Sequence, residues 1–169
     1  MIGLLQRVSQ AQVVVDGVTI AGIAKGLLVL VGVQRGDGAV QADRLLERLL
    51  AYRVFPDTED RMNLSVQDVQ GGLLLVPQFT LAADTRSGNR AGFSSAAQPQ
   101  EARRWFEYLV LQARLRYARV QAGSFGADMQ VGLVNDGPVT FWLEVPPPAH
   151  PAALSGFSQT NAGPGGRDG

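Results

Sequence analysis

Two short, unbroken apolar runs constrain this chain most. Leu27-Leu28-Val29-Leu30-Val31-Gly32-Val33 follows Gly26, and Leu73-Leu74-Leu75-Val76 follows Gly71-Gly72. Each is short enough for a strand and carries no polar side, so each predicts a strand covered on both faces. Covering them takes further layers, and two amphipathic helices are available. From Ala39 to Tyr52, Ala42, Leu45, Leu46 and Leu49 recur at i, i+3, i+4 and i+7, with Arg44, Glu47 and Arg48 facing away. A second helix opens near Pro99, a residue tolerated in a first turn, with Ala102, Trp105, Phe106, Leu109 and Ala113 as its buried stripe. The predicted class is α/β, with mixed β-sheets and flanking helices.

Turn chemistry fills in the rest. Asp16-Gly17, between Val13-Val14-Val15 and Val18-Thr19-Ile20, is a two-residue hairpin signal. Arg53-Val54-Phe55 ends at Pro56-Asp57, and Met62-Asn63-Leu64 forms a short segment before the second apolar run. Pro77 stops that run or stands at its end, since proline cannot donate to a sheet ladder. Residues 82–95 form a long polar loop, a length that is often functional. Alternation returns in Met129, Val131 and Leu133, and resumes in Val139, Phe141, Leu143 and Val145, predicting two strands joined by a tight corner at Gly137-Pro138. The last 24 residues, 146–169, hold five Pro and five Gly, predicting a disordered tail after a domain of residues 1–145.

Composition narrows the chemistry. The chain has no Cys, which excludes disulfides, thiolate catalysis and Cys-ligated zinc, and its one His, His150, lies in the Pro-rich tail. Ser-His-Asp catalysis therefore lacks its base. No apolar run reaches the roughly 18 residues of a membrane span, and the N-terminus is no signal peptide, so the expected compartment is the cytoplasm. Of 15 basic residues only Lys25 is lysine; the other 14 are Arg, which suits phosphate recognition, although a genome favouring Arg codons produces the same count. A net charge of zero lacks the basic excess of an autonomous nucleic-acid binder.

Polar groups gather with Gly or Pro at three strand ends: Pro77-Gln78-Phe79-Thr80-Leu81, Phe125-Gly126-Ala127-Asp128-Met129 and Asn135-Asp136-Gly137-Pro138-Val139-Thr140. Taken singly, Thr80 is a candidate nucleophile without an evident base. Asp128 and Asp136 are candidate general bases, but such residues are more often turn formers. Met129 reads as core filler or as a pocket wall.

In combination these segments are specific. Gln6-Arg7-Val8, Gly26-Leu27-Leu28-Val29-Leu30, Met62-Asn63-Leu64, Gln78-Phe79-Thr80-Leu81-Ala82-Ala83-Asp84-Thr85, Phe125-Gly126-Ala127-Asp128-Met129-Gln130-Val131 and Asn135-Asp136-Gly137-Pro138-Val139-Thr140-Phe141-Trp142 occur in this order. Across Met1 to Val145 the chain resembles the D-aminoacyl-tRNA deacylases, also called D-tyrosyl-tRNA deacylases. The resemblance implies a homodimer with a three-layer arrangement. It also implies hydrolysis of the ester between a D-amino acid, or glycine, and the terminal adenosine of tRNA, without a cofactor or metal. Gly137-Pro138 would be a cis dipeptide entering the partner's pocket, gripping the substrate's amino group through its carbonyls and barring L-side chains. Arg7 would orient that dipeptide across the dimer. Gln78, Phe79 and Thr80 would line the scissile ester, and Met129 would form part of the adenine wall. Backbone amides near Phe79 and Thr80 would stabilise the oxyanion while the ribose 2′-hydroxyl assists the water.

Two departures stand out. The family usually has Ser where Pro77 stands, and a related branch that edits L-alanine mischarged on tRNA carries Pro-Gln there. The segment Arg90-Ala91-Gly92-Phe93 lacks a proline often found after the arginine. Phe79 and the Asn-Asp-Gly-Pro-Val turn align the chain with the D-specific branch.

Overall fold

The hairpin signal is realised first. In the computed structural model, which describes residues 1–86 and 88–148, β1 (Ile2–Val15) turns into β2 (Val18–Ile23) at Asp16 and Gly17. Their φ values of 51° and 79° are the left-handed pair that a two-residue hairpin requires. The first apolar run is β3 (Gly26–Gly32), antiparallel to the first half of β1. After α1 (Ala39–Ala51), the strands β4 (Phe55–Pro56) and β5 (Met62–Leu64) form a small separate ribbon. The second apolar run is β6 (Gly72–Pro77), parallel to β3 from Gly26–Gly72 to Val31–Pro77. Pro77 is its last residue, where the missing N–H breaks no interior ladder bond. Then come α2 (Pro99–Arg116), β7 (Val120–Ala122) beside β6, and β8 (Gln130–Glu144) along the free edge of β1. The mixed sheet runs β2-β1-β3-β6-β7, with β8 on β1.

Both helices lie on the same side of the sheet, where flanking helices were expected. Leu45, Leu46 and Leu49 of α1 and Phe106 and Leu109 of α2 pack against Leu5, Leu27, Val29, Leu73 and Leu75. The alternate strand residues Val8, Ala11, Val13, Leu28, Leu74 and Val76 form a second cluster, covered by Ile23, Met129, Val131 and Leu133. The sheet thus curls until β2, at one edge, meets β6 and β7 at the other, and its own strands take the place of a second helical layer. In α2 the buried stripe includes Val110, whereas Trp105 is only partly buried and stacks edge-on to Tyr108, with ring centroids 5.8 Å apart.

The corner at Gly137-Pro138 corrects the expectation of two strands. β8 continues along β1 on both sides of it, and only the register jumps: Gln6 pairs with Thr140, and Val8 with Asn135. The chain does not reverse; the intervening residues bulge out of one long strand. The predicted tail lies outside the described residues from 149 onward, and His150 with it.

A buried ion pair anchors the start of β1. The Met1 ammonium donates to Asp37 Oδ1 (2.7 Å), to Gln34 Oε1 (2.9 Å) and to the Val145 carbonyl, and Asp37 Oδ2 accepts the Gln34 N–H (2.7 Å). Burial pushes the ammonium pKa down and the Asp37 carboxyl up, and their mutual hydrogen bond opposes both shifts. Removing one partner strands the other charge in the interior. Asp37→Ala is expected to lower unfolding free energy by about 3–5 kcal/mol, read from the urea midpoint; a loss below about 1 kcal/mol would show that water reaches the pair.

Candidate active site

Parallel pairing of β3 with β6 delivers the chain to a sharp break after Pro77. The Gln78 N–H bonds to the Val31 carbonyl (2.8 Å), the last link to the sheet, and Phe79–Ala82 then form one 3-10 turn. Gly32 makes room for that turn: a Cβ there would lie 2.9 Å from Leu81 Cβ. Phe79 and Thr80 open the turn, so their amides have no partner within it, and neither donates to another backbone carbonyl among the described residues. Two adjacent N–H groups are left for a ligand.

Phe79 borders a cavity of about 440 Å³, within the range that suits small ligands, and Thr80 borders the neighbouring depression. Val76, Pro77, Gln78, Phe79, Phe125 and Met129 contribute to its walls. Gly123 admits the Met129 thioether, since a Cβ there would sit 3.0 Å from its sulfur. Phe79 is 58% exposed and its ring leans on Phe93 (5.3 Å between centroids), an open aromatic surface at the rim. On the far wall, the Arg103 guanidinium covers the Phe125 ring at 5.0 Å and donates to the Phe125 carbonyl at 3.0 Å.

The Thr80 hydroxyl is oriented by its neighbour Gln78. Gln78 Nε2 donates to its Oγ1 at 2.6 Å, leaving the hydroxyl proton free for a ligand. An amide is no base, so this neighbour does not activate Thr80 as a nucleophile. Beyond Thr80 lies a broad depression of about 700 Å³, bordered by Ile2, Asp84, Arg86 and Trp142. Arg86 donates to both oxygens of Asp84 (2.9 and 2.7 Å) and holds that carboxyl far below the usual carboxylate range.

Gln78, Phe79 and Met129 thus meet at the cavity, and Thr80, bonded to Gln78, lines the depression beside it. Gly137, Pro138 and Arg7 do not join them: none of the three lines the cavity. The Gly137–Pro138 peptide is cis and the corner is exposed. Arg7, only 13% exposed, fixes this corner within its own chain, with Nε to the Asp136 carbonyl (2.8 Å) and Nη1 to the Val54 carbonyl (2.6 Å). Asp136 faces Arg7 across 3.7 Å, and Asp128 does not line the cavity. Sequence reasoning assigned no role to Phe125 or Arg103. An aromatic after Gly-Ser, five residues before the returning strand, was the one available signal. Among the described residues no three His, Cys, Asp or Glu side chains converge on a metal position, and no helix is long and apolar enough to cross a membrane.

An aromatic cavity beside an unpartnered amide, with no nucleophile–base pair in its lining, is a candidate site that would act more by binding than through its side chains. Comparisons identify the family. The profile of the D-Tyr-tRNA(Tyr) deacylase family matches residues 4–144. A D-aminoacyl-tRNA deacylase of Nitrosococcus oceani is 63% identical over 147 residues, covering 87% of this chain and 95% of that one. One from Janthinobacterium sp. (strain Marseille) is 61% identical over 147 residues, covering 87% and 99%. Among solved structures, a c-Myc DNA unwinding element binding protein superposes with a TM-score of 0.83 at 36% identity, over 86% of this chain and 99% of that one. A probable eukaryotic D-amino acid tRNA deacylase, 14% identical with a TM-score of 0.72, shares the fold. The chain belongs to the D-Tyr-tRNA(Tyr) deacylase family and is an enzyme of that hydrolase class.

Proposed function

We propose that the protein is a cytoplasmic homodimer, in the three-layer arrangement, that clears D-aminoacyl esters, and glycyl esters mischarged on tRNA(Ala), and rejects L-esters with the Gly137-Pro138 corner of the partner subunit. The observation that carries this reading is the pair of free amides at Phe79 and Thr80, where a cavity sized for a nucleoside, lined by Phe79, adjoins the depression lined by Thr80. With the terminal adenosine against Phe125 and Met129, the ester carbonyl lies at those amides, which stabilise the oxyanion as water attacks. The ribose 2′-hydroxyl assists the water, and Thr80 donates its free proton to the substrate. Labile esters need little more than this positioning.

No residue that lines the cavity in one chain reads chirality by itself, and the exposed corner that Arg7 holds lies elsewhere. The unfilled depression beside Thr80, with Trp142 51% exposed at its edge, supports a second copy docking there and bringing its corner to the ester. Backbone carbonyls from that corner would bind the substrate amino group and leave no space for an L-side chain, independently of which D-side chain is present.

Side-by-side deacylation of D-Tyr-, Gly- and L-Tyr-tRNA tests the proposal. Release of the first two, with L-Tyr lost no faster than in buffer, is expected. Preference for L-Ala-tRNA would favour the editing branch that shares Pro77, and tRNA binding without hydrolysis would leave a binding module. Thr80→Ala is expected to reduce kcat/KM about fivefold, the worth of one hydrogen bond. If turnover vanished with binding intact, a hydroxyl nucleophile would be the better account.

A further inference from the structure

The cavity wall at Phe125 is shared with a second groove of about 350 Å³ running along α2. Phe106, Val110 and Ala122 contribute its apolar lining, and Arg103, Glu107 and Arg114 its charges. Arg103, Glu107, Val110 and Arg114 fall at i, i+4, i+7 and i+11, one stripe beside the buried face, extending about 16 Å along the axis. Arg103 is fixed on the Phe125 ring and carbonyl, and Glu107 Oε1 approaches it at 3.4 Å. Arg114 is exposed and makes no ion pair among the described residues. At the other end of β7, Lys25 and Arg119 border a further depression, likewise without an acidic partner among those residues.

Exposed arginines on a helix are ordinarily solvated. Here Arg103 and Arg114 stand along a groove that meets the ligand cavity at Phe125, and Arg114 has no acidic partner among the described residues. We propose that this groove carries the sugar–phosphate backbone of the nucleotides just before the terminal adenosine, with Arg103 and Arg114 as its phosphate contacts. The inference rests on the deacylase reading for the position of that adenosine. An anion suits guanidinium forks, and continuity across Phe125 demands a ligand covalently joined to the one in the cavity. The shallow, open walls suit a backbone better than a base.

Kinetics of Arg114→Glu and Arg114→Lys on D-Tyr-tRNA and on the D-Tyr ester of adenosine alone decide the matter. Arg114→Glu is expected to raise KM for the tRNA about tenfold at low salt, with the adenosine ester within about twofold of wild type. Its log–log salt dependence should flatten by about 0.7 for the lost phosphate contact, and Arg114→Lys should recover most of the affinity. An unchanged KM for the tRNA, or an equal loss on the adenosine ester, overturns the groove. If wild-type protein cleaves neither ester, the deacylase reading fails instead, and an altered salt slope for uncharged tRNA still decides whether Arg114 meets phosphate.

Discussion

Gly137→Ala is expected to lower kcat/KM for D-Tyr-tRNA by about 100-fold while the protomer stays folded. Gly137 has φ +146°, a conformation that L-residues rarely adopt. An added Cβ would lie 2.6 Å from Val139 Cγ2, 3.0 Å from the Val139 nitrogen and 3.1 Å from Arg7 Nη2. Neither neighbour can yield cheaply. The Val139 N–H is bonded to Asn135 Oδ1 (2.6 Å), and Arg7 is pinned by the Val54 and Asp136 carbonyls. The corner must shift, and a displacement near 1 Å in a positioning group is worth about two orders of magnitude. On the proposed cross-subunit reading, cleavage of L-Tyr-tRNA should rise relative to D-Tyr-tRNA, because the corner that bars L-side chains has moved. The corner is exposed, so the thermal midpoint should change little. Wild-type activity and selectivity in this variant would remove the corner from the site.

Gly26→Ala should act on the fold itself. A Cβ at Gly26 would lie 2.0 Å from the Gly72 carbonyl oxygen and 2.6 Å from its nitrogen. These are backbone atoms locked in the first register pair of β3 and β6, and the Gly72 N–H also bonds to the Lys25 carbonyl (2.9 Å). Gly72 cannot retreat, since its own Cβ position is 2.7 Å from Ile23. Ordinary overpacking costs about 1–3 kcal/mol. A clash with paired backbone belongs to the rare losses above about 4 kcal/mol, enough to leave the variant largely insoluble. A urea midpoint within about 1 kcal/mol of wild type would show that the strands separate more easily than this packing implies. Because β6 delivers the chain to Gln78 and Thr80, activity should be lost together with the fold.

Local chemistry was legible wherever one residue's backbone or one element's exposure decided the outcome. Asp16-Gly17 specified its hairpin, Pro99 stands first in α2, and both apolar runs became central strands. The reading of Gly137-Pro138 as a link between two strands failed for a definite reason. Periodicity reports which side chains face the interior, not which strand they pair with, and both halves of β8 pair with β1. Trp105 was assigned to the buried stripe by spacing alone, but it sits at the border, where Val110 packs deeper.

Residue order alone determined the strand and helix inventory, the exclusion of thiol catalysis and the segments that carry the family likeness, because each follows from short-range sterics or from the side chains present. Tertiary structure decided the rest. It placed both helices on one face, joined Phe125 and Met129 to Gln78 and Phe79 across distant segments, left two amides free, and kept the Gly137-Pro138 corner away from its own chain's cavity. Those outcomes depend on how a twisted sheet closes and which surfaces then meet, and a linear pattern of polar and apolar residues holds no record of that geometry.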